Sequence, residues 1–413
     1  MVADQDHKPS LGFETIQMLK LMPVNMDNVL TVNNQPKILT EAEVTTVYKD
    51  VFAGEGRFEE KLHLEVNKEV PPTKLPVRKV PIAFKKPIKE ELDRLVRLDA
   101  LAKVDVPTDW ISSMVAVKKS DGSIRLCIDP KPLNKALKRN HYPHPVIEDL
   151  LPNLSKAKVF TVLDAKNGFW HVQLDQESSY LTTFATPWGH YRWKRMPFGI
   201  SAAPEEFQRR LDTALKGLEG VRPICDDILI YGVGDSYDEA MVDHDNKLVA
   251  LLQRCRSKGI KLNQKKLKFR RSQVSFMGHL ISAKGLCPDP AKVEAIQKMP
   301  NPFNKQDIRR LLGMVNYLQK FSPNLSSVTA PLRELLKEEN MFQWREDVEE
   351  KCFNDVKEVL SWPPVLKYFD PDKIWSYSVM LPKRAWGPAS CKVDKQLLTR
   401  HGLSLARSNS THK

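Results

Sequence analysis

The sequence predicts an α+β fold: a mixed segment of strands and helices, then a helical module. Three observations carry the prediction. Val159–Leu163 is a short apolar run of strand type ending on Asp164, and Pro223–Tyr231 is apolar on both sides of Asp226-Asp227, the pattern of strand, tight turn and strand. Ser113–Val117 and Ser123–Cys127 read as two strands joined at Ser120-Asp121-Gly122, a hairpin turn. From Pro290 to about Leu360 every signal is helical.

The remaining elements follow in chain order. Residues 1–70 are mixed, with an amphipathic stretch around Phe13–Met22. Pro71, Pro72, Pro76 and Pro81 each block helix and bias their predecessors to extended geometry, so an extended approach segment is expected. Ile88, Leu92, Leu95, Leu98 and Leu101 recur at helical spacing between charges, which predicts an amphipathic helix over Pro87–Lys103. Ser201 with Pro204 opens a helix running to about Leu218, and Ser236–Lys258 is a long helix closed by Gly259. His244, on the face of that helix, is expected to be solvated or capping rather than a ligand. From Lys373 onward no periodicity remains, and the stretch is expected to be poorly ordered.

A chain of 413 residues is long enough for two or three subdomains, and 41% apolar with 28% charged content is ordinary for a globular protein. The charge balance is less ordinary. Lys+Arg 64 against Asp+Glu 51 gives a net +13, which suits a polyanionic partner such as nucleic acid but equally a solvated basic surface. No apolar run approaches the ~18 residues of a membrane span and no signal peptide is expected at Met1, so no membrane partner is expected. Cys127, Cys225, Cys255, Cys287, Cys352 and Cys391 form no CxxC pair, which argues against a zinc site or disulfide framework and for a reducing compartment. The sequence holds no G-x-x-x-x-G-K-[ST] phosphate loop and no internal repeat.

Candidate chemistry rests on three carboxylates. Asp164 ends one expected strand, and about sixty residues later Asp226 and Asp227 sit at the tip of an expected hairpin. A pair set among Ile224, Cys225, Ile228, Leu229 and Ile230 is costly to bury unpaired, so either water at the turn or a shared cation must satisfy it. Mg²⁺ takes oxygen ligands, usually a few carboxylates together with substrate phosphates. Carboxylates from neighbouring strand ends can hold two such ions about 4 Å apart, a geometry that serves in-line displacement at phosphorus. Alone, the Asp-Asp turn leaves both readings open.

Its neighbours add to the case. Tyr142-Pro143-His144-Pro145, Phe160-Thr161-Val162-Leu163-Asp164-Ala165-Lys166-Asn167-Gly168-Phe169, Met196-Pro197-Phe198-Gly199-Ile200-Ser201-Ala202-Ala203-Pro204 and Cys225-Asp226-Asp227-Ile228-Leu229-Ile230-Tyr231 occur in this order. Gly259-Ile260-Lys261-Leu262-Asn263-Gln264-Lys265-Lys266 and Phe276-Met277-Gly278-His279 follow. Together they resemble the polymerase motifs of gypsy-type LTR retrotransposon reverse transcriptases, which are related to retroviral ones, and the resemblance covers roughly residues 60–370.

The resemblance implies a right-hand polymerase of fingers, palm and thumb, with an antiparallel palm sheet followed by a helical module. Residues 1–35 would be a remnant similar to the C-terminal end of a retropepsin, through Leu11–Met22, and 36–84 an extended lead-in. Fingers and palm are expected over 85–282, with the fingers inserted from about 85–140. Thumb and the start of the connection are expected over 283–372, and a tail over 373–413. The implied activity is RNA-directed addition of deoxynucleotides to a primer 3′-hydroxyl, with two Mg²⁺ ions, or Mn²⁺ in their place. The implied partners are an RNA or DNA template with its primer, and deoxynucleoside triphosphates. The compartment would be a cytoplasmic particle or the nucleus, and nothing indicates an oligomeric state.

By position, Asp164, Asp226 and Asp227 match the metal carboxylates, and Lys266 a lysine that protonates the leaving pyrophosphate, although Lys265-Lys266 equally suits surface charge. Phe169 matches the aromatic that excludes a 2′-hydroxyl. Lys118 and Arg125 match the cations that hold the triphosphate, while Lys119 is read as exposed surface charge. Phe198 would shape the nucleotide pocket, and Phe276, Met277 and Gly278 would grip the primer end. Lys305, Arg309, Arg310 and Lys320 could track phosphates of an A-form-like duplex.

Two departures stand out. Ile224 occupies the place of an aromatic that touches the primer terminus in the family, with Cys225 between it and the Asp pair. No Asp-Ala-Ser opening of an RNase H domain follows Tyr368-Phe369-Asp370-Pro371. Codons compatible with Ser378–Pro388, read one base earlier, give Asp-Ala-Ser-Lys and then Leu-Gly-Ala, so a frameshift near residue 375 is expected to have replaced that domain with an out-of-frame tail. The competing reading is a retroelement relic that keeps only nucleic-acid binding.

Overall fold

Residues 40–119, 122–322, 325–361 and 365–368 are described by the structure, a computed structural model, and all fall in one unit, Met1–Phe369. The stretch expected to resemble a retropepsin end, 1–35, and the tail expected to be out of frame, 373–413, lie outside the described residues.

In chain order the strands are β1 (Lys61–Leu62), β2 (Leu101–Val104), β3 (Ser112–Lys118), β4 (Ile124–Asp129), β5 (Ala157–Asp164), β6 (Gln173–Leu174), β7 (Phe184–Thr186), β8 (Gly189–Trp193), β9 (Val221–Ile224), β10 (Asp227–Val233), β11 (Lys268–Arg271), β12 (Gln273–Phe276), β13 (His279–Ser282) and β14 (Gly285–Pro288). The helices are α1 (Glu41–Val47), α2 (Lys49–Phe52), α3 (Ile82–Arg97), α4 (Lys131–Ala136), α5 (Gln176–Leu181), α6 (Ala203–Leu215), α7 (Tyr237–Ser257), α8 (Pro290–Gln297), α9 (Lys305–Leu318), α10 (Leu325–Val328), α11 (Ala330–Glu334) and α12 (Lys351–Ser361).

Among the described residues these strands form four sheets. The sheet that positions the chemistry is antiparallel throughout, in the order β11-β5-β10-β9. Its central strands are apolar almost end to end because both faces are covered. Side chains alternate across a strand. Accordingly Ile228 and Ile230 of β10 join one apolar core while Leu229 and Tyr231 join another. The first core brings in α6 and α7 through Phe207, Leu211, Leu248 and Leu251. The second brings in the β12-β13-β14 meander and the helical module through Phe276, Leu311, Phe321 and Phe353.

A five-stranded sheet, order β2-β8-β7-β3-β4, carries the expected hairpin, with Val117 opposite Arg125. It also draws in residues 184–193 from beyond β5, and β3 pairs with β7 in parallel. The helix expected over Pro87–Lys103 is shifted. It runs from Ile82 to Arg97 with Pro87 inside it, and Asp99 at φ 55° turns the chain out. Leu101, assigned by spacing to that helix, starts β2 and is buried opposite Trp193. The helical spacing was therefore real only to Leu95.

His244 corrects another expectation. It neither caps nor meets solvent: it is fully buried where α7 lies on β5. Gly232 of β10 permits that approach, since a Cβ there would stand 1.9 Å from the Ala240 carbonyl oxygen. The His244 Nε2 bonds to the Thr161 hydroxyl at 2.7 Å and Nδ1 to Asp245 at 3.0 Å, and Arg270 pairs with the same carboxylate.

A second buried histidine fixes the lead-in. Burial pushes the pKa of His171 down to about 4, so the ring is neutral. Its Nε2 accepts from the Lys261 amide at 3.0 Å, which leaves Nδ1 to donate to the Gly168 carbonyl at 2.9 Å. Gly56 packs on this ring so closely that a Cβ would stand 1.9 Å from Nε2. A Gly56→Ala substitution is therefore expected to cost about 1–3 kcal/mol, measurable as a lower urea midpoint with unchanged slope.

Candidate active site

The site grows out of one register. In the β5–β10 pair Asp227 lies directly opposite Asp164, and partners in an antiparallel pair share a face. Asp227 also faces Ile224 across the β9–β10 hairpin, so Cys225 and Asp226 alone form its turn. Cys225 takes φ 53°, a left-handed conformation uncommon outside glycine. The Asp226 carbonyl accepts from the Ala165 amide at 2.6 Å, which ties the turn to the end of β5. The Asp pair is therefore split: Asp226 is on the turn and Asp227 opens the strand.

Three carboxylates meet here with little to offset them. Burial, then Asp164, then Asp227 push the pKa of Asp226 up to about 6. Burial and Asp164 likewise raise that of Asp227. Lys266, at the end of a short 3-10 turn, supplies one counter-charge through a 2.6 Å ion pair with Asp164 Oδ2. Asp226 Oδ1 is buried with no hydrogen-bond partner, and Gly168 crowds it: a Cβ on residue 168 would stand 2.1 Å away.

An orphaned anionic oxygen between two further carboxylates suits a cation. Among the described residues no three His, Cys, Asp or Glu side chains form a preformed metal cage. Clustered carboxylate oxygens are the donors that a divalent cation takes.

The carboxylates open into a cleft of about 840 Å³ lined by Val117, Lys119, Arg125, Asp164, Gly168, Phe198, Asp226, Lys265 and Lys266 among others. Arg125 stands 4.6 Å over the Phe198 ring, and Phe169 packs 5.0 Å from Phe198 and 6.0 Å from Phe207. The structure thus gathers Asp164, Asp226, Asp227, Lys266, Arg125, Phe169 and Phe198.

It separates others. Lys118 pairs with Ile124, on the hairpin face opposite Val117 and Arg125, so Lys119 and not Lys118 lines the cleft. Strand alternation from Arg125 was the signal that would have chosen Lys119. Phe276 is 1% exposed in the second core and cannot touch a primer; only the Met277-Gly278 tip, at φ 50° and 73°, projects. That tip rests on α9, where the Tyr317 hydroxyl donates to the Met277 carbonyl at 3.0 Å. Ile224, which stands where the resemblance expects an aromatic, is also 1% exposed and belongs to the second core. His171 and Gln208, both fully buried beside the site, went unremarked in the sequence because nothing local marks a polar residue as buried.

Residues 117–281 match the family described as reverse transcriptase (RNA-dependent DNA polymerase). That segment belongs to the reverse transcriptase family. The Transposon Tf2-3 and Tf2-7 polyproteins of Schizosaccharomyces pombe are each 30% identical to it over 384 residues, covering 89% of this chain and 28% of the relative. The chain thus spans 28% of these relatives' length, and the relatives are retrotransposon polyproteins, in line with the resemblance its motifs carry. Its fold is shared with the foamy viral protease–reverse transcriptase. The form solved with double-stranded DNA and named dRH gives a TM-score of 0.73 at 22% identity, covering 87% of this chain and 65% of that one. The form solved with an RNA/DNA hybrid gives 0.70 at 22% identity, covering 80% and 44%. The α+β right-hand polymerase fold is the one the sequence predicts.

The raised pKa of Asp226 has a sign that can be measured. Its folded value, about 6, lies above the unfolded 3.8, so the stability it contributes is full below 3.8 and lost as pH rises through 6. Removing the charge in Asp226→Asn should, in EDTA, stabilise the chain by about 1–2 kcal/mol at pH 8 and by little at pH 4, allowing for partial solvation of the cleft. Urea unfolding at the two pH values checks this.

Proposed function

We propose that this chain adds deoxynucleotides to a primer 3′-hydroxyl under the direction of an RNA or DNA template. The observation that carries the reading is that Asp164, paired with Asp227 across the sheet, and Asp226 line a cleft that Arg125 and Lys119 also line. Carboxylates together with guanidinium and ammonium groups are what a nucleoside triphosphate with divalent cations requires.

The three aspartates would hold two divalent ions, Mg²⁺ in the first instance, which when bound activate the attacking hydroxyl and steady the leaving pyrophosphate. The protein's own groups do the rest. Arg125, its plane set by Phe198, and Lys119 hold the triphosphate. Phe169, locked between Phe198 and Phe207, forms a floor too rigid to accept a 2′-hydroxyl. Lys266 neutralises Asp164 in the ion-free site and lies within reach to give a proton to the departing phosphate. The Met277-Gly278 tip positions the primer end.

On this reading the five-stranded sheet forms the fingers and the four-stranded sheet the palm, both within 85–282. The helices beyond Pro290, within 283–372, form the thumb and the start of the connection. Arg309 and Arg310 are exposed on α9, whereas Lys320 is engaged with Glu148 at 2.8 Å, so the two arginines are the better phosphate contacts.

Primer extension on an RNA template tests the proposal, with the wild type beside Asp226→Asn. The wild type should extend in Mg²⁺ and the variant should lose at least about a thousandfold. Equal signals from both would sink it. Within the triphosphate site, Lys119→Ala should raise the dNTP KM about tenfold while Lys118→Ala leaves it within about twofold.

A further inference from the structure

Gln208 lies on α6, fully buried, with every polar bond of its amide defined. Its Oε1 accepts from the Cys225 amide at 2.7 Å, and its Nε2 donates to the Pro223 carbonyl at 3.0 Å and to Asp212 Oδ1 at 2.9 Å. The other oxygen of Asp212 accepts from the Tyr142 hydroxyl at 2.8 Å. Tyr142 opens the Tyr142-Pro143-His144-Pro145 motif, which the polymerase reading leaves without a task.

The orientation of the amide follows from chemistry. A carboxylate and a peptide carbonyl only accept, so both partners on one side demand the NH₂ end. The oxygen is thereby turned onto the Cys225 N–H; a flipped amide would set donor against donor. The place is equally particular. β9 is an edge strand, and a strand's C=O at one residue and N–H two residues on point to the same side. Gln208 meets such a pair, Pro223 O and Cys225 N, so one side chain stands in for a missing fifth strand at the point where the ladder ends. On the turn's other side the Ala165 amide holds the Asp226 carbonyl at 2.6 Å.

We propose that Gln208 is the positioning residue of the Asp226-bearing turn, and that Tyr142 and Asp212 act through it by fixing which way its amide faces. The catalytic consequence rests on the polymerase reading; the clamp itself does not. Held from both sides, Cys225 keeps its left-handed backbone and Asp226 stays beside Asp164 and Asp227. Released on the Gln208 side, the turn relaxes and the carboxylates lose their register with one another.

Two measurements on the full chain test this with Gln208→Met, Asp212→Asn, Tyr142→Phe and the Gln208→Met/Asp212→Asn double variant. In single-turnover primer extension, Gln208→Met should lower kcat about 10- to 100-fold. The dNTP KM and the primer–template Kd should stay within about threefold. Asp212→Asn and Tyr142→Phe should lower kcat less, and the double variant should be no worse than Gln208→Met, because all three act through one contact. Amide exchange at Cys225, read by fragmentation mass spectrometry without substrate, should rise at least about tenfold in Gln208→Met and measurably in Asp212→Asn.

Wild-type kcat and wild-type Cys225 exchange in Gln208→Met overturn the proposal, as does a double variant whose losses simply add. If Gln208→Met fails to fold, Asp212→Asn and Tyr142→Phe decide, and wild-type values in both overturn it. A wild type that extends no primer yet shows a protected Cys225 amide, lost in Gln208→Met, refutes the polymerase reading while upholding the clamp.

Discussion

Mutual repulsion among Asp164, Asp226 and Asp227 is the constraint around which the rest of the molecule is arranged. Burial first, and then the neighbouring carboxylates, raise the proton affinity of Asp226 and Asp227. Lys266 pairs directly with Asp164, and with Arg125 and Lys268 it offsets the rise at Asp226 and Asp227 only in part. A fold that keeps three carboxylates together must therefore derive its stability elsewhere, and that stability must be rigid where the charges sit. This is the usual relation between a strained site and its scaffold.

The scaffold answers with two apolar cores on opposite faces of one sheet. β5 and β10 contribute alternate residues to each, so neither strand can slip by one residue without turning apolar side chains out of both cores at once. That locks the register that sets Asp227 opposite Asp164. Glycines then let neighbouring elements close in: Gly232 brings α7 onto β10, and Gly168 brings the loop after β5 onto Asp226. Neutral His171 joins that loop to the Lys261 segment leading to Lys266, so the counter-charge and the carboxylate it serves are carried by one bonded unit.

Much of this was legible from sequence. Strands that are apolar on both faces and end in a charge are conspicuous, and so were β5, the β9–β10 hairpin and the long α7. The family motifs added Phe169, Phe198 and Arg125, all of which the structure brings to the cleft or its floor. Less legible was anything decided by direction rather than spacing. Lys118 and Lys119 are adjacent and chemically alike, and only the pairing of Val117 with Arg125 shows which one turns inward. Leu101 sat at helical spacing from Leu98, yet Asp99 diverts the chain so that Leu101 pairs with Trp193 as a strand residue. Phe276 belongs to a motif whose tip projects, while its own side chain points the other way into the core.

The same distinction governs the unusual turn sequence. An aliphatic residue at 224 looked like a lost contact with the primer, because the position precedes the Asp pair. In the structure Ile224 is a core residue sharing its apolar cluster with Phe160, Leu229 and Phe276. A β-branched aliphatic is well suited to such a strand end, since it fills space without a polar atom to satisfy. The residue left exposed at the turn is Cys225, whose backbone rather than its thiol carries the load: the N–H is held by Gln208 and the φ of 53° redirects the chain into Asp226. The departure from the family pattern is therefore absorbed by packing on one side and by a side-chain hydrogen bond on the other, and the carboxylate geometry does not depend on an aromatic at 224.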